Sequence, residues 1–183
     1  MDLDHTLVNP VVDEEFPYEV VDIIPRPGAY EFLTRLRKHG EPWLLTASER
    51  RHAARALEVL GPAAERFAGV LSREDLWPVE AQIHVVESAV VEDHERAALW
   101  KLIEPVAPPG PVFDDFPVGS PMYLLKSYAV GIGPERWIQV EPFVEGFPDR
   151  GGLAKAYNEF IRRFYPSAPR MGRALGSRRL IRV

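Results

Sequence analysis

Apolar residues along the chain gather in short runs, and the stretches between those runs show helical spacing. Pro27-Gly28 opens the first such stretch, with Tyr30, Leu33 and Leu36 near one face and an end at about His39-Gly40. Residues 42–46 read as a strand with Thr46 at its carboxyl end. Ser48 is placed to N-cap a helix over residues 49–60, which Gly61-Pro62 terminates. Residues 67–71 read as a further strand, and residues 82–91, rich in β-branched side chains, as a strand or hairpin. A helix over residues 94–104 follows, closed by a proline-rich loop at 105–111. Val112-Phe113, residues 128–132 and residues 138–140 read as short strands. The last helix covers residues 152–164, with Leu153, Tyr157, Phe160, Ile161 and Phe164 on one face. Strands alternating with helices predict an α/β fold: a mainly parallel sheet with helices on both faces. In such sheets ligands bind beyond the carboxyl ends of the strands.

Composition narrows the class. A length of 183 residues suits one domain with a full core. The absence of cysteine excludes a disulfide framework and a thiolate metal site. No run is long and apolar enough for a membrane helix, and no secretory leader precedes Asp2, so a cytoplasmic enzyme is expected. The net charge of −5 is divided unevenly: all 27 acidic residues precede Phe160, while residues 161–183 hold seven arginines and no acid. The expected division is a domain over 1–165 and a basic tail over 166–183, a tail that can contact a polyanion or simply be a solvated terminus.

The polar residues at the strand ends carry the chemistry. Asp2 and Asp4, in Met1-Asp2-Leu3-Asp4-His5-Thr6, lie on the same side of an extended backbone. Two carboxylates aimed into one opening can hold a hard cation such as Mg²⁺. One can also act as a nucleophile while the other exchanges protons. Leu44-Leu45-Thr46-Ala47-Ser48 ends a second apolar run in a hydroxyl, and Val112-Phe113-Asp114-Asp115 ends a third in a carboxylate pair. In this order, with basic candidates between, the chain resembles the haloacid dehalogenase (HAD) superfamily of aspartate-nucleophile phosphohydrolases. Within that superfamily it is most similar to the RNA polymerase C-terminal-domain (FCP/SCP-type, NLI-interacting factor-like) phosphatases. Asp2-Leu3-Asp4-His5-Thr6-Leu7-Val8, Arg26-Pro27-Gly28 with Phe32-Leu33, Leu45-Thr46-Ala47-Ser48 and Asp114-Asp115-Phe116-Pro117 carry that likeness.

The resemblance implies a HAD-like Rossmannoid fold and a Mg²⁺-dependent phosphatase. By it, Asp2 attacks phosphorus to form an aspartyl-phosphate, and Asp4 exchanges the leaving-group and water protons. Mg²⁺ is held by the Asp2 carboxylate, the Asp4 backbone carbonyl and Asp114, with Asp115 a ligand through water. Thr46 hydrogen-bonds a phosphoryl oxygen, and Thr6 tightens the turn after the nucleophile. A cation must also pair with the nucleophile. Lys101, 13 residues before Asp114, and Arg96, 18 before it, are the first candidates, with Arg73 and Lys126 behind them. Arg73 also resembles an arginine near the site in the FCP/SCP branch. His5 is expected to face solvent or pack a loop, and His52, His84 and His94 show no metal-ligand spacing.

The 19 residues between Thr6 and Arg26 make a flap hairpin but no folded cap. A capless site favours a phosphorylated protein or nucleic-acid end, while a lid at 82–91 favours a nucleotide or small metabolite. The same 19 residues are fewer than the inserted sheet that grips phosphoserine-proline peptides in the RNA polymerase phosphatases. Only Met1 precedes the nucleophile, where a buried strand is expected, so the reading is either a chain that starts late or a sheet lacking its central strand. The second alternative keeps open a catalytically inactive binding or scaffold protein on the same fold.

Overall fold

The computed structural model describes residues 1–13, 15, 19–76, 110–120, 122–123, 126–127, 131–144 and 146–166. Its strands are β1 (Val8–Val12), β2 (Val20–Pro25), β3 (Trp43–Leu45), β4 (Gly69–Leu71), β5 (Val112–Asp114) and β6 (Trp137–Gln139). Its helices are α1 (Ala29–Leu36), α2 (Arg50–Leu60), the single turn α3 (Arg73–Leu76) and α4 (Gly152–Phe164), with 3₁₀ turns at Gly61–Arg66 and Pro134–Arg136. β1 and β2 form an antiparallel hairpin in the register Val8↔Pro25, with an irregularity between Val11 and Val12. β3 pairs in parallel with β4, and β5 in parallel with β6. The architecture is therefore mixed helix and strand with short parallel sheets.

The N-terminal residues join the two parallel pairs. The Met1 ammonium donates to the Trp43 carbonyl at 3.0 Å, and Leu45 N–H donates to the Met1 carbonyl at 2.7 Å. On the other side, Asp2 N–H donates to the Phe113 carbonyl at 2.8 Å. Met1-Asp2 thus lies between β3 and β5, so Asp2, Thr46 and Asp114 sit at neighbouring strand ends. Val140 N–H continues the β5–β6 ladder by donating to the Asp114 carbonyl.

Packing holds these ends in place. Leu3, Leu7, Val8, Leu33, Leu44, Ile138 and Val140 are fully buried in one core cluster. Phe113 of β5 meets Phe32 of α1 edge-to-face at 5.4 Å and Phe160 of α4 at 5.6 Å. Each such aromatic pair adds roughly 0.5–1.5 kcal/mol beyond the area it buries. Arg26, 1 % exposed, donates two bonds to the Asp149 carboxylate and a third to the Thr6 carbonyl. Asp149 Oδ1 in turn accepts the Gly151 and Gly152 N–H groups at the start of α4. Gly152 is needed there, because a Cβ would collide with the Arg26 guanidinium.

Several local expectations are corrected. α1 starts after Gly28, held at φ 81°, and buries Ala29, Phe32, Leu33 and Leu36. Tyr30 therefore points off the buried stripe, 40 % exposed, and its hydroxyl accepts a bond from Arg66 at 2.6 Å. Ser48 does not cap α2. Glu49 is the N-cap, and the Glu74 carboxylate reaches across to accept the Arg50 N–H. β4 begins at Gly69 because the 3₁₀ turn occupies the chain as far as Arg66. Of the strand expected over 128–132, residues 128–130 lie outside the described residues, Gly131, at φ 62°, is in a turn and Ile132 is in no strand. The strand or hairpin at 82–91, the helix over 94–104 and residues 167–183 of the basic tail lie outside the described residues.

Candidate active site

Asp2 leaves the core between β3 and β5, so its carboxylate emerges at the strand ends while its residue stays 3 % exposed. Asp114, the last residue of β5, is fully buried beside it. Lys126, 1 % exposed, lies between the two, with Nζ 2.7 Å from Asp2 Oδ1 and 2.7 Å from Asp114 Oδ2. The same ammonium stands 5.4 Å from the centre of the Phe116 ring. Carboxylate oxygens of Asp2, Asp114 and Asp115 come within 4.8 Å of one another. Asp115 Oδ1 is buried and accepts no hydrogen bond among the described residues, while Asp114 Oδ1 accepts the Phe116 N–H.

The electrostatics follow from that crowding. Burial pushes the Asp2 carboxyl up to about 6, opposed by Lys126 and helped by the charge of Asp115. Burial and then the charge of Asp2 push Asp114 up to about 6, again against Lys126. Asp115 is pushed up by its burial and by Asp114. Burial disfavours the Lys126 cation, but the two carboxylates outweigh it and hold its pKa above the ordinary lysine value. The Met1 ammonium, buried nearby, is pushed down to about 6 by desolvation.

Asp4 sits two residues further on, in a turn where His5 takes φ 56°. Its Oδ2 accepts the Ser48 hydroxyl at 2.5 Å and its Oδ1 lies 2.7 Å from His52 Nε2. Burial would raise the Asp4 carboxyl, yet the bonds from His52 and Ser48 prevail and hold it below the usual carboxylate range. Thr46 is buried directly after β3, where its Oγ1 accepts the Ser48 N–H at 3.1 Å. Thr6 is buried, its hydroxyl without a hydrogen-bond partner among the described residues. His5 packs a loop, its carbonyl accepting the Phe143 N–H at 2.7 Å.

Among the basic candidates, Lys126 stands between Asp2 and Asp114. Arg73 donates to the Ala47 carbonyl at 2.7 Å, on the loop that carries Thr46 and Ser48. Lys101 and Arg96 lie outside the described residues. The sequence did hold a signal for Lys126, a lone cation inside the apolar stretch Met122-Tyr123-Leu124-Leu125-Lys126-Ser127-Tyr128-Ala129-Val130. His52 gave none as a metal ligand, because its partner is a carboxylate. Its place in the first turn of a helix just after a strand-end threonine is the feature that aims it at the site.

A comparison with curated proteins finds no match for the chain. Residues 1–88, which carry Asp2, Asp4, Thr46, Ser48 and His52, match the family model of the NLI interacting factor-like phosphatases. Asp114, Asp115 and Lys126 fall beyond the matched span and meet its carboxylates only in the fold. Over residues 1–88, just under half of its length, the chain is therefore similar to the NLI interacting factor-like phosphatases, a phosphatase family of the HAD, FCP/SCP-type branch.

Proposed function

We propose that the chain is a Mg²⁺-dependent phosphomonoester hydrolase of HAD-like fold that works through an aspartyl-phosphate on Asp2. The observation that carries this reading is the buried Asp2–Lys126–Asp114 bridge, with Asp115 at its side and Asp4 two residues from the nucleophile. The donor set fits a hard divalent cation: three carboxylates converge, and the buried Oδ1 of Asp115 has no hydrogen-bond partner among the described residues. Asp2, Asp114 and Asp115 would hold Mg²⁺, with the Asp4 carbonyl completing the set. The bound ion supplies positive charge where a carboxylate approaches a phosphate dianion.

The chain's own groups account for the remaining steps. An Asp2 oxygen forms a bond to phosphorus as the bond from phosphorus to the ester oxygen breaks. That oxygen keeps the electron pair, takes a proton from Asp4 and leaves as the alcohol. The arriving dianion favours the protonated form of Asp4, against the pull of His52 and Ser48. Water then attacks phosphorus, gives a proton to Asp4 and frees the Asp2 carboxylate and phosphate. Lys126 keeps Asp2 ionised and placed, and the Thr46 hydroxyl donates to a phosphoryl oxygen.

The β1–β2 hairpin occupies the space between Thr6 and Arg26, where a larger insertion would be needed for a cap. An open site of this kind suits a phosphorylated protein or nucleic-acid end in the cytoplasm, with the arginine-rich tail available to a polyanion. The test is phosphate release from p-nitrophenyl phosphate, with and without Mg²⁺, for the full chain and for Asp2→Asn. Mg²⁺-dependent turnover that the substitution abolishes is expected. Turnover unchanged in Asp2→Asn would overturn the mechanism, and a protein that binds phosphate without turnover would be a binding module.

A further inference from the structure

Asp4 can transfer a proton only if one of its oxygens is aimed at the ester oxygen, and nothing in a short turn fixes a carboxylate's terminal torsion, which is broad. Here both oxygens are taken. Ser48, on the loop after β3, grips Oδ2, and His52, in the first turn of α2, grips Oδ1 at 2.7 Å. The contact is largely withdrawn from water: the side chains of His52 and Asp4 are 16 % and 21 % exposed. With Asp4 ionised, His52 Nε2–H is the donor. No described contact links His52 to Asp2, Asp114 or Lys126.

We infer that His52 is a positioning residue for the proton-transferring carboxylate: with Ser48 it fixes the orientation of Asp4 and acts on the reaction only through it. The inference rests on the phosphatase reading above. Its consequence is selective. Losing His52 harms esters whose leaving oxygen needs a proton and spares those whose leaving group departs as a stable anion.

The experiment compares kcat/KM for a simple alkyl phosphate and for 2,4-dinitrophenyl phosphate, in the full chain with Mg²⁺. This ratio stops at the first irreversible step, phosphoryl transfer to Asp2, so the later hydrolysis does not blur it. His52→Ala is expected to lower the alkyl-ester value by about tenfold or more, within the range of general-acid effects, and the dinitrophenyl value by less than about threefold. His52→Gln, which returns an N–H donor at similar reach, restores most of the loss. In an Asp4→Asn background His52→Ala changes nothing further, since the two act as one unit. His52→Asn, too short to reach Asp4, gives the same reading if the alanine variant does not fold. Equal losses on both esters, or no recovery with glutamine, overturn the positioning role while leaving the phosphatase reading intact. Absence of any Asp2-dependent turnover in the unsubstituted chain overturns the phosphatase reading, and this inference with it.

Discussion

Lys126 places one positive charge between two buried carboxylates, so the three side chains stand or fall together. Removing the cation leaves Asp2 and Asp114 facing each other without water. Breaking a buried pair from one side costs about 3–5 kcal/mol. Lys126→Met is therefore expected to lose about that much stability at pH 7.5 in urea melts without Mg²⁺. The deficit has a pH sign. Both carboxyls already have folded pKa values raised to about 6, above the usual value of 3.8, and lose further support without the lysine. Groups raised in this way favour the folded state at low pH, and that advantage fades as pH rises from the unfolded value through the folded one. The Lys126→Met deficit should shrink when the melts are repeated at pH 5. A deficit equal at both pH values would show that the bridge is not where the cost arises.

At the scale of elements, the Arg26 clamp fastens the base of the β1–β2 hairpin to the start of α4. Its guanidinium serves the Asp149 carboxylate bidentately and the Thr6 carbonyl, and lies 5.5 Å from the Phe143 ring centre. Arg26→Ala is expected to destabilise by about 3 kcal/mol, the lower end for a buried pair because Asp149 keeps some contact with water. Arg26→Lys should recover little, since a point charge cannot reproduce the planar fork. Chemical denaturation tells these apart, and full recovery with lysine would sink the account. A smaller effect belongs to α2, whose Arg50 N–H is capped by Glu74 from the neighbouring turn. Glu74→Ala should cost roughly 0.5–1 kcal/mol in the same assay. These ties also mark where sequence reading ran out. The Gly152–Phe164 helix was legible from its apolar stripe, and the hairpin from the room between Thr6 and Arg26. That Glu74 and not Ser48 caps α2 was not legible, because the capping carboxylate comes from 24 residues away. The freed Ser48 hydroxyl is what reaches Asp4.

Across the whole molecule, the candidate site is assembled from distant parts of the chain by the sheet pairings around Met1-Asp2. The order of polar residues was readable because Thr46 and Asp114 each close a short apolar run and Asp2 and Asp4 are spaced by two. Which lysine meets Asp2 was not, since that depends on a return of the chain 124 residues later. On the proposed function the same assembly would make Mg²⁺ a stabiliser of the entire fold, because an ion held by Asp2, Asp114 and Asp115 would bind only when their strands are paired. A ligand specific to the folded state adds about 2.7 kcal/mol at a hundredfold excess over its Kd. The effect must depend on pH. With carboxyl values of about 6, Asp2 and Asp114 carry protons at pH 5 that the ion has to displace, and at pH 7.5 they do not. The rise in melting temperature on adding Mg²⁺ should therefore be large at pH 7.5 and small at pH 5, and Asp115→Asn should reduce it at pH 7.5. A Mg²⁺ shift that is the same at both pH values, or unaffected by Asp115→Asn, would place the ion elsewhere on the protein.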